Sequence, residues 1–151
     1  MNFAYLALKL IHILLAIAAV GANFTYGVWI VRARTNPAFA AVALRGVKLI
    51  DDRIANPAYL LMLPTGAAMI WIAGYGFGTR WIAWAMVLWA VAVLLGYLGY
   101  TPSLAAQIRA IETDGPDSPA AIAAAKRGAV FSAFLGVVIL SIVVLMVFKP
   151  A

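Results

Sequence analysis

The sequence predicts an all-α integral membrane protein with four transmembrane helices in one bundle. Of its 151 residues, 66% are hydrophobic and 11% are charged, whereas soluble domains have about 45–50% apolar and about 25% charged residues. The mean hydropathy is +1.02. Apolar runs of about the length that a helix needs to cross a bilayer lie at about 3–31, 57–75, 81–100 and 128–148. No long polar linker divides the chain, so a single domain is expected over residues 1–151.

The first run carries Lys9 and His12 near its start and ends at Arg32. Counting back about 20 residues from Trp29 and Arg32 places Lys9 at the outer headgroups and His12 just inside the outer leaflet. The alternative, a signal peptide cleaved near Ala22, is disfavoured because apolar residues continue well beyond that position.

One face of this first span is small and polar. His12, Ala16, Ala19, Asn23 and Tyr26 follow one another at intervals of three or four residues, so they share a face. We expect this face to look into the bundle. Asn23 then forms a hydrogen bond to another helix, worth about 0.5–2 kcal/mol.

Four polar residues stand immediately before a proline, a pattern typical of helix starts. They are Asn36-Pro37, Asn56-Pro57, Thr101-Pro102 and Ser118-Pro119. The first predicts an amphipathic helix over 37–54 at the membrane surface, with Val42 and Leu49 on its apolar side and Asp51, Asp52 and Arg53 on its polar side. The third predicts a short helix after span three.

The cations indicate the orientation. Five lie between spans one and two and three between spans three and four, and they are Arg32, Arg34, Arg45, Lys48, Arg53, Arg109, Lys126 and Arg127. By the positive-inside rule both loops are cytoplasmic and both termini face outward. The net charge of +6 therefore favours anionic lipid headgroups, and no nucleic acid, as a partner.

Span four has a seam of small residues. Ala124, Gly128, Ser132 and Gly136 recur every four residues, which lets another helix backbone approach closely. The seam can serve an internal contact or a homo-oligomer interface, and the sequence leaves both open.

His12 is the only histidine, so it is the first candidate ligand. Met69, Met86 and Met146 are placed at a similar depth, and histidine with methionine suits haem b iron or cuprous copper. The simpler interpretation has no cofactor: His12 bonds a backbone carbonyl or a hydroxyl, and the methionines fill gaps.

The types of residue that the apolar runs lack argue against catalysis and ion-coupled transport. The chain has no cysteine, and all five acidic residues lie in the two cytoplasmic loops. Ion-coupled transport usually depends on an acid within the membrane, and no hydrolytic set of residues is present. We therefore expect a non-catalytic protein acting through contacts with itself, with lipid or with a larger membrane complex, as a possible accessory subunit.

Several motifs together resemble a known family. Lys9-Leu10-Ile11-His12-Ile13 opens span one, "LIDDRIANP" follows the basic segment, and Pro64-Thr65-Gly66 lies in span two. This order is similar to a bacterial family of predicted integral membrane proteins, domain of unknown function 2269. The resemblance implies a four-helix protein of the bacterial inner membrane and no known reaction. A looser similarity is to the membrane domain of copper-resistance proteins of the D type.

Overall fold

The computed structural model describes residues 3–150, and every regular element in that range is helical. The ends of the predicted domain, residues 1–2 and 151, lie outside the described residues. A short 3-10 turn at Pro37–Phe39 precedes the second helix. The α-helices are α1 (Phe3–Thr35), α2 (Ala40–Ile50), α3 (Asn56–Ala73), α4 (Arg80–Leu94), α5 (Thr101–Asp114) and α6 (Pro119–Phe148).

Two π-helical segments join these helices into longer ones. Asp51–Ala55 connects α2 to α3, and Leu95–Tyr100 connects α4 to α5. The backbone N–H of Asn56 donates to the carbonyl of Asp51, five residues earlier, and the N–H of Thr101 donates to Gly96 in the same way. Residues 40–73 and 80–114 therefore each form one continuous helix.

The predicted helix starts at Asn56-Pro57 and Thr101-Pro102 are consequently wrong. Proline within a helix lacks an N–H, and its ring crowds the preceding turn; the wider π turn before each proline accommodates it without ending the helix. The prediction at Ser118 is confirmed, because its side-chain oxygen accepts a hydrogen bond from the N–H of Ala121 at 3.3 Å.

Three helices within residues 3–150 are long and apolar enough to cross a membrane. They are Phe3–Thr35, Arg80–Asp114 and Pro119–Phe148, and they contain the first, third and fourth predicted spans. Each extends beyond its predicted span at one end or both. The second predicted span, 57–75, falls largely on α3, which is not among the three, so the fourth crossing stays a prediction.

The continuous helices pack as two pairs. In the first pair, α1 lies along the helix formed by α2 and α3; in the second, α6 lies along the helix formed by α4 and α5. The two pairs meet where α2 packs against α5. The main core is at this junction, and its buried residues include Ala22, Tyr26, Ala40, Ala43, Leu44, Val47, Tyr100, Leu104 and Ile108. Elsewhere the pairs present large apolar side chains outward, as a lipid-facing surface requires.

One residue on the predicted polar side of the 37–54 segment does not face solvent, because Asp51 is buried. Val42 and Leu49, on the predicted apolar side, are exposed, and the position of this segment at the membrane surface stays a prediction. The side chain of Lys48 does pair with Asp52, at 2.6 Å. Arg45 Nε donates to Glu112 at 2.7 Å, which ties α2 to α5.

Candidate functional site

A buried carboxylate lies at the junction of the two helix pairs. Asp51 is only 5% exposed. Its Oδ1 accepts a hydrogen bond from the Tyr26 hydroxyl of α1 at 3.2 Å. Its Oδ2 accepts one from Thr101 Oγ1 at 2.9 Å and one from Asn56 Nδ2 at 3.3 Å. We refer to Tyr26, Asp51, Asn56, Tyr100 and Thr101 together as the Asp51 cluster.

Tyr100 completes this cluster. Its ring stacks on that of Tyr26, with the centroids 6.1 Å apart and the planes 6° from parallel. The Tyr100 hydroxyl is buried and has no hydrogen-bond partner among residues 3–150. Such an orphaned polar group is uncommon in folded proteins, since burying it without a partner costs about 1–3 kcal/mol.

The charge on Asp51 is stabilised by neutral donors. Within the described range no lysine or arginine forms an ion pair with it, because the nearby Lys48 pairs with Asp52. Burial raises the pKa of Asp51 above its ordinary value, while the hydrogen bonds from Thr101 and Tyr26 act in the opposite direction. The cluster is therefore able to exchange a proton or to hold one positive charge.

Sequence reasoning missed this site. Asn56 and Thr101 were interpreted as helix caps, but each turns its side chain to Asp51. The two polar-proline pairs are visible in the sequence, but no local pattern links Thr101 to Asp51, 50 positions earlier. The sequence analysis places Asp51 on a solvated face because it is charged, although it follows the buried Leu44 and Val47 at intervals of three and four residues and so shares their face.

Asn23 connects α1 to α3. Its Nδ2 donates to the Tyr59 hydroxyl of α3 at 2.6 Å and to the carbonyl of Ala19 at 2.9 Å. The indole N–H of Trp89 on α4 donates to the backbone carbonyl of Tyr59 at 2.9 Å. Tyr59 thus links both helix pairs one turn beyond the Asp51 cluster.

His12 faces α3 and is half-buried. Its Nδ1 lies 2.8 Å from Thr65 Oγ1, and this oxygen also lies 2.8 Å from the carbonyl of Leu61. A threonine hydroxyl has one proton. When that proton goes to Leu61, His12 must donate from Nδ1, which leaves its Nε2 lone pair free.

The three candidate methionines are divided between the two helix pairs. Met69 is on α3, one turn after Thr65, whereas Met86 is on α4 and Met146 is on α6. Met86 and Met146 are each 38% exposed. In the part of the chain that the structure describes, no three His, Cys, Asp or Glu side chains come together as metal ligands.

The two halves of the small-residue seam of α6 have different surroundings. Ala124 is buried, and a Cβ placed on Gly128 would lie 3.8 Å from Ser103 Cβ on α5. Ser132 and Gly136 are exposed, and a Cβ on Gly136 would meet nothing within 4 Å. The first half of the seam therefore serves an internal contact, and the second half is open.

Apolar helices of membrane-spanning length, with polar groups gathered at one junction, define an integral membrane protein. The chain belongs to the family of predicted integral membrane proteins DUF2269, which it matches over residues 6–150. The resemblance based on its motifs is thereby confirmed. No curated protein and no solved structure shows a significant match to the chain.

Proposed function

We propose that this protein is a non-catalytic, four-span protein of the bacterial inner membrane that acts through helix contacts with a second copy of itself. The observation that carries this proposal is the open half of the α6 seam, Ser132 and Gly136. Small exposed residues at this spacing let two helix backbones approach closely within lipid.

The fourth crossing is assigned to α3. Residues 57–75 contain no charged side chain, and α3 packs along α1, which is itself long enough to span a bilayer. A crossing here also allows α1 and α4 to run in the same direction, with the basic segments 32–53 and 109–127 together on the cytoplasmic side. Because residues 40–73 form one continuous helix, the segment 40–54 then extends from this crossing toward the cytoplasm.

Cysteine labelling tests this topology, since the chain has no cysteine of its own. In intact cells, a cysteine at Gly115 should be unreachable by an impermeant maleimide, and one at Gly76 in the loop between α3 and α4 should react. Equal reaction at both positions would rule out the proposed arrangement.

Self-association is tested by making the seam bulky. Gly136→Leu should abolish a disulfide cross-link between copies carrying a cysteine at Ala133, measured in bacterial membranes. Gly27→Leu is the matched control, because Gly27 is also an exposed helical glycine with nothing within 4 Å of its Cβ position. The homodimer proposal fails if the parent protein gives no cross-link, or if Gly136→Leu cross-links as well as the control.

A second candidate function is haem or copper binding at His12. It is favoured by the hydrogen bond between His12 Nδ1 and Thr65. A histidine that binds a metal through one ring nitrogen usually donates the N–H of the other to a fixed acceptor. His12 Nε2 would be the ligand, Met69 is the methionine on the adjacent helix, and a second copy could supply another histidine.

Purification in mild detergent followed by an absorption spectrum and metal analysis tests this candidate. A Soret band or stoichiometric copper should disappear in His12→Ala and weaken in Thr65→Val. Thr25→Val serves as the control, since the Thr25 hydroxyl bonds only within its own helix. A stable protein without colour or metal would eliminate this candidate.

A further inference from the structure

We propose that the Asp51 cluster is a binding site for one monovalent metal cation of sodium or potassium size. The starting point is a negative charge that is buried between helices and has no paired cation within residues 3–150. A buried carboxylate is costly unless it is paired, coordinated or protonated.

The donor set fits a cation of single charge. Around the carboxylate lie the hydroxyl oxygens of Tyr26 and Thr101 and the side-chain amide of Asn56. All are neutral groups, so one positive charge balances the cluster. Calcium sites usually contain several carboxylates, whereas this one has a single acid, and magnesium usually keeps several of its waters.

The Tyr100 hydroxyl is a second, independent indication. Tyr100 is 6% exposed, its ring stacks on Tyr26, and its neighbour Thr101 contacts Asp51. A buried hydroxyl that finds no protein partner in this position is accounted for by an ion or an ordered water. The lone pairs of this oxygen are available to a cation next to Asp51.

The π segments supply the remaining oxygen ligands. A proline follows each segment, two residues beyond its last residue, at Pro57 and at Pro102, and a proline cannot donate to the preceding turn. The helix that contains Asp51 and the helix that contains Thr101 therefore each have one backbone donor fewer than carbonyl acceptors at this proline. Carbonyls of interrupted helices are common cation ligands in membrane proteins.

Thermal unfolding of the detergent-solubilised protein tests the proposal. At equal ionic strength, sodium or potassium chloride should raise the melting temperature relative to choline chloride, in a saturable way. Asp51→Asn should remove this response. Asp114→Asn should retain it, because Asp114 is an exposed acid at the end of α5 and lies outside the Asp51 cluster.

Tyr100→Phe separates binding from structure, since it keeps the stacked ring and removes only the hydroxyl. The half-saturating cation concentration should rise about tenfold, the effect of losing about 1.4 kcal/mol of binding. Equilibrium binding of radioactive sodium to the parent and this variant measures the same constant directly, even if Asp51→Asn does not fold.

Two results would overturn the inference. One is a melting temperature that is identical in all three salts with no radioactive sodium retained, which would leave the cluster as a site for a proton or a water. The other is an unchanged cation response in Tyr100→Phe and Asp51→Asn, which would place the binding elsewhere on the protein.

Discussion

The Tyr26 hydroxyl donates a hydrogen bond to Asp51 across the interface of α1 and the first π segment, at 3.2 Å. Both groups are buried, at 4% and 5% exposure. This contact joins the transmembrane part of α1 to the turn where the helix 40–73 changes its hydrogen-bond pattern. The contact connects the small, polar face of α1 to Asp51, one of the two adjacent acids that the sequence predicts in a cytoplasmic loop.

Removing this hydroxyl should destabilise the protein. Tyr26→Phe deletes a hydrogen bond to a charged group, for which the expected loss is about 1.5–3 kcal/mol in the free energy of unfolding. Unfolding in detergent with increasing denaturant measures it. Thr25→Val is the neighbouring control, because the Thr25 hydroxyl donates to the carbonyl of Ala22 in its own helix and to no other group within residues 3–150. Equal loss in both variants would contradict a special role for the Tyr26–Asp51 contact.

Stability should depend on pH through Asp51. Burial raises the pKa of this carboxyl above its ordinary value of 3.8, so the folded protein binds the proton more tightly than the unfolded chain. The contribution of Asp51 to stability is therefore full below pH 3.8 and is lost as pH rises through the raised folded-state pKa. Relative to Asp51→Asn, the parent protein should gain stability on acidification.

Melting temperatures of the parent and Asp51→Asn, recorded in choline chloride from below pH 3.8 up to neutral pH, measure the effect. Asp114→Asn is the control, and the difference between its melting temperature and that of the parent should vary less with pH because Asp114 is exposed and outside the Asp51 cluster. A parent protein that instead loses stability relative to Asp51→Asn on acidification would show that the pKa is lowered and that the hydrogen bonds outweigh burial.

The hydrogen bond from Asn23 to Tyr59 predicts a smaller loss. Asn23→Ala should reduce the free energy of unfolding by about 0.5–2 kcal/mol, since interhelical hydrogen bonds in membranes are worth that much. Tyr59→Phe removes the same bond from the other side, so the double variant should lose little more than either single one. Fully additive losses would mean that the two side chains act independently.

Alanine substitutions at the two glycines of the second π segment, Gly96 and Gly99, should differ sharply in their effect on stability. A Cβ on Gly99 would overlap the ring of Phe131 on α6, whereas a Cβ on Gly96 would meet nothing within 4 Å. Gly99→Ala should therefore lower the free energy of unfolding by about 1–3 kcal/mol through overpacking. Gly96→Ala should leave it nearly unchanged. Melting temperatures in detergent compare them, and similar values would refute the close packing of α6 on this segment.

Much of the fold followed from local patterns. The all-helical class, three of the spans and the cap at Ser118 depend on residues close together in the chain. The two polar-proline pairs at Asn56 and Thr101 were misread because a local pattern cannot distinguish a helix start from a proline inside a π-bulged helix. Neighbouring helices decide that outcome by holding the chain helical through the proline.

The sequence by itself determined that this is a helical membrane protein, because the bilayer imposes length and apolar composition on each segment separately. It also placed His12, Asn23 and Tyr26 on one face of α1. Only the tertiary structure decided that this face reaches Asp51. The Asp51 cluster draws on positions 26, 51, 56, 100 and 101, and groups so far apart in sequence meet only when the two helix pairs pack together.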